Sequence, residues 1–312
     1  MADEAAAAAA FGPNAWLVDD MYERYKQDPS SVAESWRDFF EGYGAGRPAN
    51  ADGAAAPAPE EQRAPTVDGD ARPTARPVAP SDGEVERLRG AAARIAANME
   101  ASLGVPTATS TRVVPARLLE VNRKVLNGYL GRTGGGKVSV THLVGYAVVR
   151  ATEAVTAMRR TFTREGEAAG IVRHPHVGLG LAVDVEKPDG SRTLLVPCIR
   201  DADTLDFRAF HAAYEELIRK VRTGKVTADD FAGVTMTLTN PGTLGTVHSV
   251  PRLMPGQAVI VGVGALDYPA EFQGADPRVM RQLGISKVLT LTSTYDHRVI
   301  QGAESGLFLK RV

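Results

Sequence analysis

Apolar and polar positions divide the chain into three regions with different patterns. In the first, residues 11–41, Trp16, Leu17, Met21 and Tyr25 recur at helical spacing. Pro29 and Ser30 interrupt the run, and Val32, Trp36, Phe39 and Phe40 resume it. Two short amphipathic helices follow from that pattern. A piece this short buries its own apolar face poorly. It therefore reads as an arm, with a surface for another protein preferred over simple packing on its own domain. Residues 42–82 show no period. They hold seven of the 19 prolines and only three bulky apolar residues, which predicts a semi-rigid, disordered linker.

Periodicity returns at residue 83 and continues to 312. A cap at Ser81 or Asp82 predicts a helix from Glu84, with Val85, Leu88, Ala92, Ile95 and Met99 on one face. A short strand, TSTRVV, then precedes a helix near 116–130. Ser139 caps a predicted helix over 140–158. The stretch VGLGLAVDVEKPDGSRTLLVPCIRD reads as two strands around a Lys-Pro-Asp-Gly turn, hence a hairpin. Phe207, Phe210, Tyr214, Leu217 and Val221 mark a long amphipathic helix, and Thr227 with Asp230 forms a capping box. Strands near 234–240, 257–264 and 286–295 precede a final helix from Gly302. Without regular βαβ alternation, the fold class is α+β, with a mixed or antiparallel sheet covered by helices.

Charge changes this picture in one respect. The net charge is −1, yet residues 1–41 hold nine acids against three bases and residues 42–82 six against four. The remaining domain is therefore cationic and suited to anionic ligands. No zinc spacing, helix-turn-helix or aromatic-interleaved basic patch points to nucleic acid. No run of eighteen apolar residues predicts a membrane span, and the start MADEAAAAAAFGPN lacks a secretory pattern. The single cysteine, Cys198, excludes an intrachain disulfide and fits the cytoplasm.

Several motifs are weak on inspection. GRTGGGKV (131–138) resembles a phosphate loop, but Val138 replaces the hydroxyl residue and a helix precedes it. VGLGLAV and IVGVGAL do not complete a dinucleotide fingerprint. The His174-Pro-His176 segment lacks nearby acidic or cysteine partners and reads as a surface loop, so no metal site is expected. His142 and His211 fall within helices, and His248 follows a glycine-rich turn.

The strongest signal is STYDHRVIQG (293–302), where a strand ends in Asp296, His297 and Arg298. Strand ends on a rigid scaffold present reactive groups, and histidine is a base near neutral pH. A second segment, TLTNPG (237–242), ends a strand at Thr239 and Asn240, and PGQAVIVG (255–262) follows. Threonine also occurs in strands for steric reasons alone. Together the three ordered motifs resemble the catalytic domain of the dihydrolipoamide acyltransferases, second components of 2-oxo acid dehydrogenase complexes. The resemblance covers residues 84–312 and implies a chloramphenicol-acetyltransferase-like fold. The arm, FGPNAWLVDDMYERYKQDPSSVAESWRDFFEGY, resembles the N-terminus of 2-oxoglutarate dehydrogenase. The combination resembles the fused actinobacterial 2-oxoglutarate dehydrogenases. It implies an arm (1–41), a linker (42–82) and an acyltransferase domain (83–312) that ends inside its last predicted helix.

The resemblance implies succinyl transfer between dihydrolipoamide and coenzyme A in the tricarboxylic acid cycle. His297 would be the general base and Thr239 the oxyanion donor, with Asp296, Arg298, Asn240 and Gln301 in support. It implies a homotrimer or higher assembly with active sites between subunits. It further implies a lipoyl group from another domain or protein, a dihydrolipoamide dehydrogenase partner, and thiamine diphosphate with Mg²⁺ in a part beyond these residues. Gln301 departs from the family's aspartate: it keeps hydrogen-bonding capacity but loses charge. That leaves a non-catalytic trimeric assembly core as a second reading. An antibiotic O-acetyltransferase is a third, which the arm and linker oppose.

Overall fold

The computed structural model describes residue 11 and residues 15–43, 87–88, 90–186 and 192–312. Most of the expected linker, the predicted cap at residues 81–82 and the Lys-Pro-Asp-Gly turn lie outside the described residues.

The arm contains α1 (Ala15–Gln27) and α2 (Glu34–Tyr43). Asp28 stops the link between them by accepting from the Ser30 N–H at 2.9 Å. Leu17, Val18, Val32, Trp36 and Phe40 are buried together with Ala228 and Phe231 of the domain. The Trp36 indole N–H donates to the Val226 carbonyl at 3.2 Å. The sequence pattern assigns this apolar face to another protein; here residues 226–232 of the same chain cover it.

The domain begins with α3 (Gly90–Ser102), β1 (Thr107–Pro115), α4 (Arg117–Thr133) and α5 (Val140–Ala154). The glycine-rich loop is a helix stop: Gly134 adopts φ 71°, a conformation that other residues resist. The Asn127 side chain then pins Val138, accepting from its N–H at 2.7 Å and donating to its carbonyl at 2.9 Å. Ser139 caps α5 as expected, accepting from the His142 N–H at 3.2 Å. The helix ends at Ala154, short of 158, and a 3-10 turn covers Thr156–Arg159.

The next strands are β2 (Arg160–Glu165), β3 (Ala168–Arg173), β4 (Leu179–Leu181), β5 (Val183–Glu186), β6 (Arg192–Leu195) and β7 (Cys198–Ile199). The pair β2–β3 forms a separate antiparallel hairpin that the sequence pattern does not announce. The expected single hairpin divides: β5 pairs with β6, while β4 and β7 enter the main sheet. Ala182 and Pro197 mark the break. The Pro197 carbonyl accepts from Leu181, and the Ala182 N–H turns to Leu238 of the neighbouring strand.

Helix α6 (Phe207–Arg222) leads to β8 (Met236–Thr239), β9 (Val259–Val263), α7 (Pro277–Gln282), β10 (Val288–Asp296) and α8 (Gly302–Arg311). The six-stranded sheet has the order β1-β10-β9-β8-β4-β7. The pairs β4–β8 and β8–β9 are parallel and the others antiparallel, so the α+β class with a mixed sheet holds. One sheet face presents Leu179, Leu238, Val261 and Leu291 to the main core, which includes Val148, Phe210 and Phe308 from the covering helices. The register places Thr109, Thr237, Thr239, Gly262, Thr292 and Thr294 on the opposite face. No helix among the described residues is long and apolar enough to cross a membrane.

Candidate active site

The end of β10 is held from three sides. The Asp296 N–H donates to the Ala258 carbonyl at 3.1 Å, and the His297 N–H to the Pro106 carbonyl at 2.9 Å. The buried Asp296 carboxylate accepts from Arg298 three times: from its backbone N–H at 3.0 Å, Nε at 2.9 Å and Nη2 at 2.6 Å. The Arg298 guanidinium also lies 3.8 Å from the centre of the Phe162 ring. Asp296 and Arg298 therefore neutralise each other and shape the turn. His297 is left exposed between them, its ring edge-on to Tyr295 at 5.5 Å between centroids. Neither ring nitrogen of His297 has a hydrogen-bond partner among the described residues.

Gln301 is the N-cap of α8. Its backbone N–H donates to the Glu304 carboxylate at 2.8 Å, and its side chain is exposed. A buried hydrogen bond from Ser305 Oγ to Ser293 Oγ at 3.0 Å fastens α8 to β10.

Thr239 ends β8 in a half-buried position. Its hydroxyl has no partner among the described residues. The next residue, Asn240, donates to Thr141 Oγ1 at 2.6 Å and ties the strand end to the first turn of α5. The PGQAVIVG segment supports this face of the sheet. Gln257 is buried and accepts from Thr237 Oγ1 at 3.1 Å. A Cβ at position 262 would lie 2.4 Å from Thr292 Oγ1, so glycine is required there.

The register keeps the two candidate catalytic residues apart within one chain. Thr239 aligns with Gly262, and Gly262 with Thr292 on β10. His297 stands five residues beyond Thr292. At about 3.4 Å per residue that is roughly 17 Å along the strand, with two inter-strand spacings, roughly 10 Å, across it. One chain therefore separates His297 from Thr239 by roughly 20 Å.

A strap over residues 245–257 crosses the threonine face between these two ends. At the Thr239 end, Ala265 N–H donates to the Thr246 carbonyl at 2.8 Å. At the His297 end, Leu253 is fully buried against Val105 and Ile260. Between them, His248 Nε2 lies 3.3 Å from Thr111 Oγ1. Sequence reasoning missed this strap because its side chains have no regular period.

A second cluster joins His142, His211 and Glu215, with one donor atom from each within 4.8 Å of the others. His142 Nδ1 accepts the Ser139 N–H at 3.0 Å, which leaves the ring proton of the neutral form on Nε2. That nitrogen faces Glu215 Oε1 at 3.0 Å, off the line of a good hydrogen bond. A metal ion would have to displace that proton, so the donor set suits a neutral buried histidine better than a metal ligand. Burial, then the nearby His211 charge, lowers the His142 pKa to about 4. The other sequence candidates are structural. His174 bonds Thr161 Oγ1 at 2.8 Å, and His176 faces Asp203 at 3.3 Å. Cys198 is buried, and burial pushes its thiol up to about 12.

Comparison with known proteins gives the family. The model of the 2-oxoacid dehydrogenases acyltransferase (catalytic domain) matches residues 80–312. The chain belongs to that family. Residues 7–47 match the model of the 2-oxoglutarate dehydrogenase N-terminus. A multifunctional 2-oxoglutarate metabolism enzyme from Mycolicibacterium vanbaalenii is 47% identical over 97% of this chain, which corresponds to 27% of that relative. A relative of the same description from Mycobacterium sp. strain JLS is 45% identical over 97% of this chain and 28% of its own length. The chain thus spans less than a third of these curated relatives. Among solved acyltransferases, the dihydrolipoamide acetyltransferase of Azotobacter vinelandii aligns with a TM-score of 0.62 and 27% identity. That alignment covers 76% of this chain and 94% of the other. The cubic core of a pyruvate dehydrogenase multienzyme complex aligns with a TM-score of 0.62 and 28% identity, over the same shares.

Proposed function

We propose that this chain transfers a succinyl group between dihydrolipoamide and coenzyme A, within a 2-oxoglutarate dehydrogenase system of the tricarboxylic acid cycle. The observation that carries the reading is the pair of unpartnered groups at opposite ends of the sheet. His297 and Thr239 are each fixed in backbone, each free at the side chain, and too far apart to meet in one chain. A ring of like subunits brings His297 of one chain to Thr239 of the next, and the homotrimer of the family resemblance is such a ring.

His297 takes the proton from the incoming thiol, and the thiolate attacks the thioester carbonyl carbon. The Thr239 hydroxyl of the adjoining subunit donates to the oxyanion that forms. Collapse re-forms the carbonyl and expels the other sulfur as a thiolate, which recovers the proton from His297. Asp296 and Arg298 fix the turn that carries His297, and Asn240 fixes the strand end that carries Thr239. Gln301 supports α8 beside the base. The Azotobacter acetyltransferase structure is described in terms of one serine, one histidine and one asparagine in its catalytic mechanism, the last two standing four positions apart. His297 and Gln301 have the same spacing, and an uncharged amide there is compatible with transfer.

In this reading residues 1–41, 42–82 and 83–312 are arm, linker and acyltransferase domain. The lipoyl group comes from another domain or protein, and dihydrolipoamide dehydrogenase is a partner. Thiamine diphosphate and Mg²⁺ are assigned to no residue described here. A second reading, a non-catalytic assembly core, draws on the lost charge at Gln301.

The deciding experiment measures succinyl transfer from succinyl-coenzyme A to dihydrolipoamide by the parent chain and by His297→Ala. Loss of the base lowers the rate by roughly two to four powers of ten. An assembled parent with no transfer supports the assembly core instead.

A further inference from the structure

The strap that runs between the two ends of the sheet carries a cation for which the chemistry above has no use. Resting on the acyl-transfer reading, we propose that Arg252 binds the distal carboxylate of the acyl group. It would thereby set the preference for a dicarboxylic acyl thioester over an uncharged one.

Position is the first argument. Leu253 is buried against Val105, and the next residue after Val105, Pro106, holds the His297 N–H. Arg252 thus sits one residue from a cluster whose member Val105 directly precedes the residue that holds the His297 N–H, and it is exposed.

Availability is the second. Two other cations at this end of the sheet are engaged: Arg298 with Asp296, and Arg160 with Glu304 at 3.5 Å. His248 on the same strap is held by Thr111. Arg252 has no ion-pair or hydrogen-bond partner among the described residues. From Pro241 to Leu266 the sequence contains no aspartate or glutamate, so nothing on the strap competes for it.

Chemistry is the third. A planar guanidinium matches a carboxylate in a two-point contact, and such charge-assisted bonds are the stronger ones. The acyl chain ends a few ångströms from the thioester carbon at which His297 and Thr239 act. A cation that reads its far end must therefore stand near the base, where Arg252 stands.

The test uses the full chain and two probes of equal carbon number, succinyl-coenzyme A and butyryl-coenzyme A. Binding of each is measured by calorimetry for the parent, Arg252→Gln and Arg252→Lys, with transfer rates measured alongside. The parent should prefer the succinyl ester, and Arg252→Gln should weaken that ester alone by roughly ten- to a hundredfold. Arg252→Lys should recover part of the preference. Equal weakening of both esters would mean that Arg252 holds a coenzyme A phosphate, and would overturn the proposal. So would binding unchanged by Arg252→Gln. Preference without transfer would sink the catalytic reading and leave this one standing; transfer without preference would do the reverse.

Discussion

If His297 and Thr239 act together only across a subunit boundary, two inactive variants should restore each other. A general base and an oxyanion donor must both stand about 3 Å from one reacting centre. The register separates them by roughly 20 Å in one chain, which excludes an intrachain pair. His297→Ala keeps Thr239, and Thr239→Ala keeps His297. Alone, the first should lose roughly two to four powers of ten in rate, and the second two to three. In a cyclic assembly formed at random from equal amounts, each boundary has a half chance of an intact histidine on one side. It has an independent half chance of an intact threonine on the other. About one quarter of boundaries should then be complete, whatever the number of subunits in the ring. The mixture should recover about a quarter of parental activity, far above either variant. Co-expression with one tag common to both variants and a single purification keeps the random distribution, and native mass spectrometry gives its composition. A verified mixed assembly no more active than its parents would refute the cross-boundary site.

Two further outcomes follow from the buried polar groups and the arm. His142 has its pKa lowered from 6.5 to about 4, so the unfolded chain binds the proton more readily than the folded one. Stability should be fully present above pH 6.5 and fall toward pH 4, by about 3 kcal/mol at most; His142→Phe, followed by urea unfolding across that range, should flatten the dependence. Trp36 is buried at the contact between arm and domain, and Trp36→Ala should weaken that contact by about 3–5 kcal/mol. Hydrogen exchange should rise across α1 and α2 while β9 stays protected, because β9 belongs to the separate main core.

Much of the fold was legible because local rules and tertiary packing agree. The period of α6 survives in the buried Phe210, Leu217 and Val221. The Thr227–Asp230 box is present, with the Asp230 carboxylate accepting from the Thr227 N–H at 2.8 Å. Failures came where partners are distant in sequence. RTFTREGEAAGIVR has little apolar alternation, so the β2–β3 hairpin left no clear pattern. The split of the β4–β7 region depends on Ala182 transferring its N–H to Leu238, which no local residue announces. Ile95 and Met99 share a helical spacing, yet both are exposed in α3; period alone does not supply the surface that buries a face.

The three motifs divide their labour in a way that only the register makes visible. Gln257, Gly262 and Ser293 are buried and serve packing: an amide that satisfies Thr237, a missing Cβ that admits Thr292, a hydroxyl that receives α8. Asp296 satisfies Arg298, and Asn240 reaches Thr141. Apart from the exposed Gln301, these supporting residues meet their principal partners inside the chain; His297 and Thr239 do not. The partnered residues hold the two unpartnered side chains at fixed strand ends, where each lacks the other. On the proposed acyl-transfer reading such a site is complete only in an assembly, and residue spacing alone names its candidates without bringing them together.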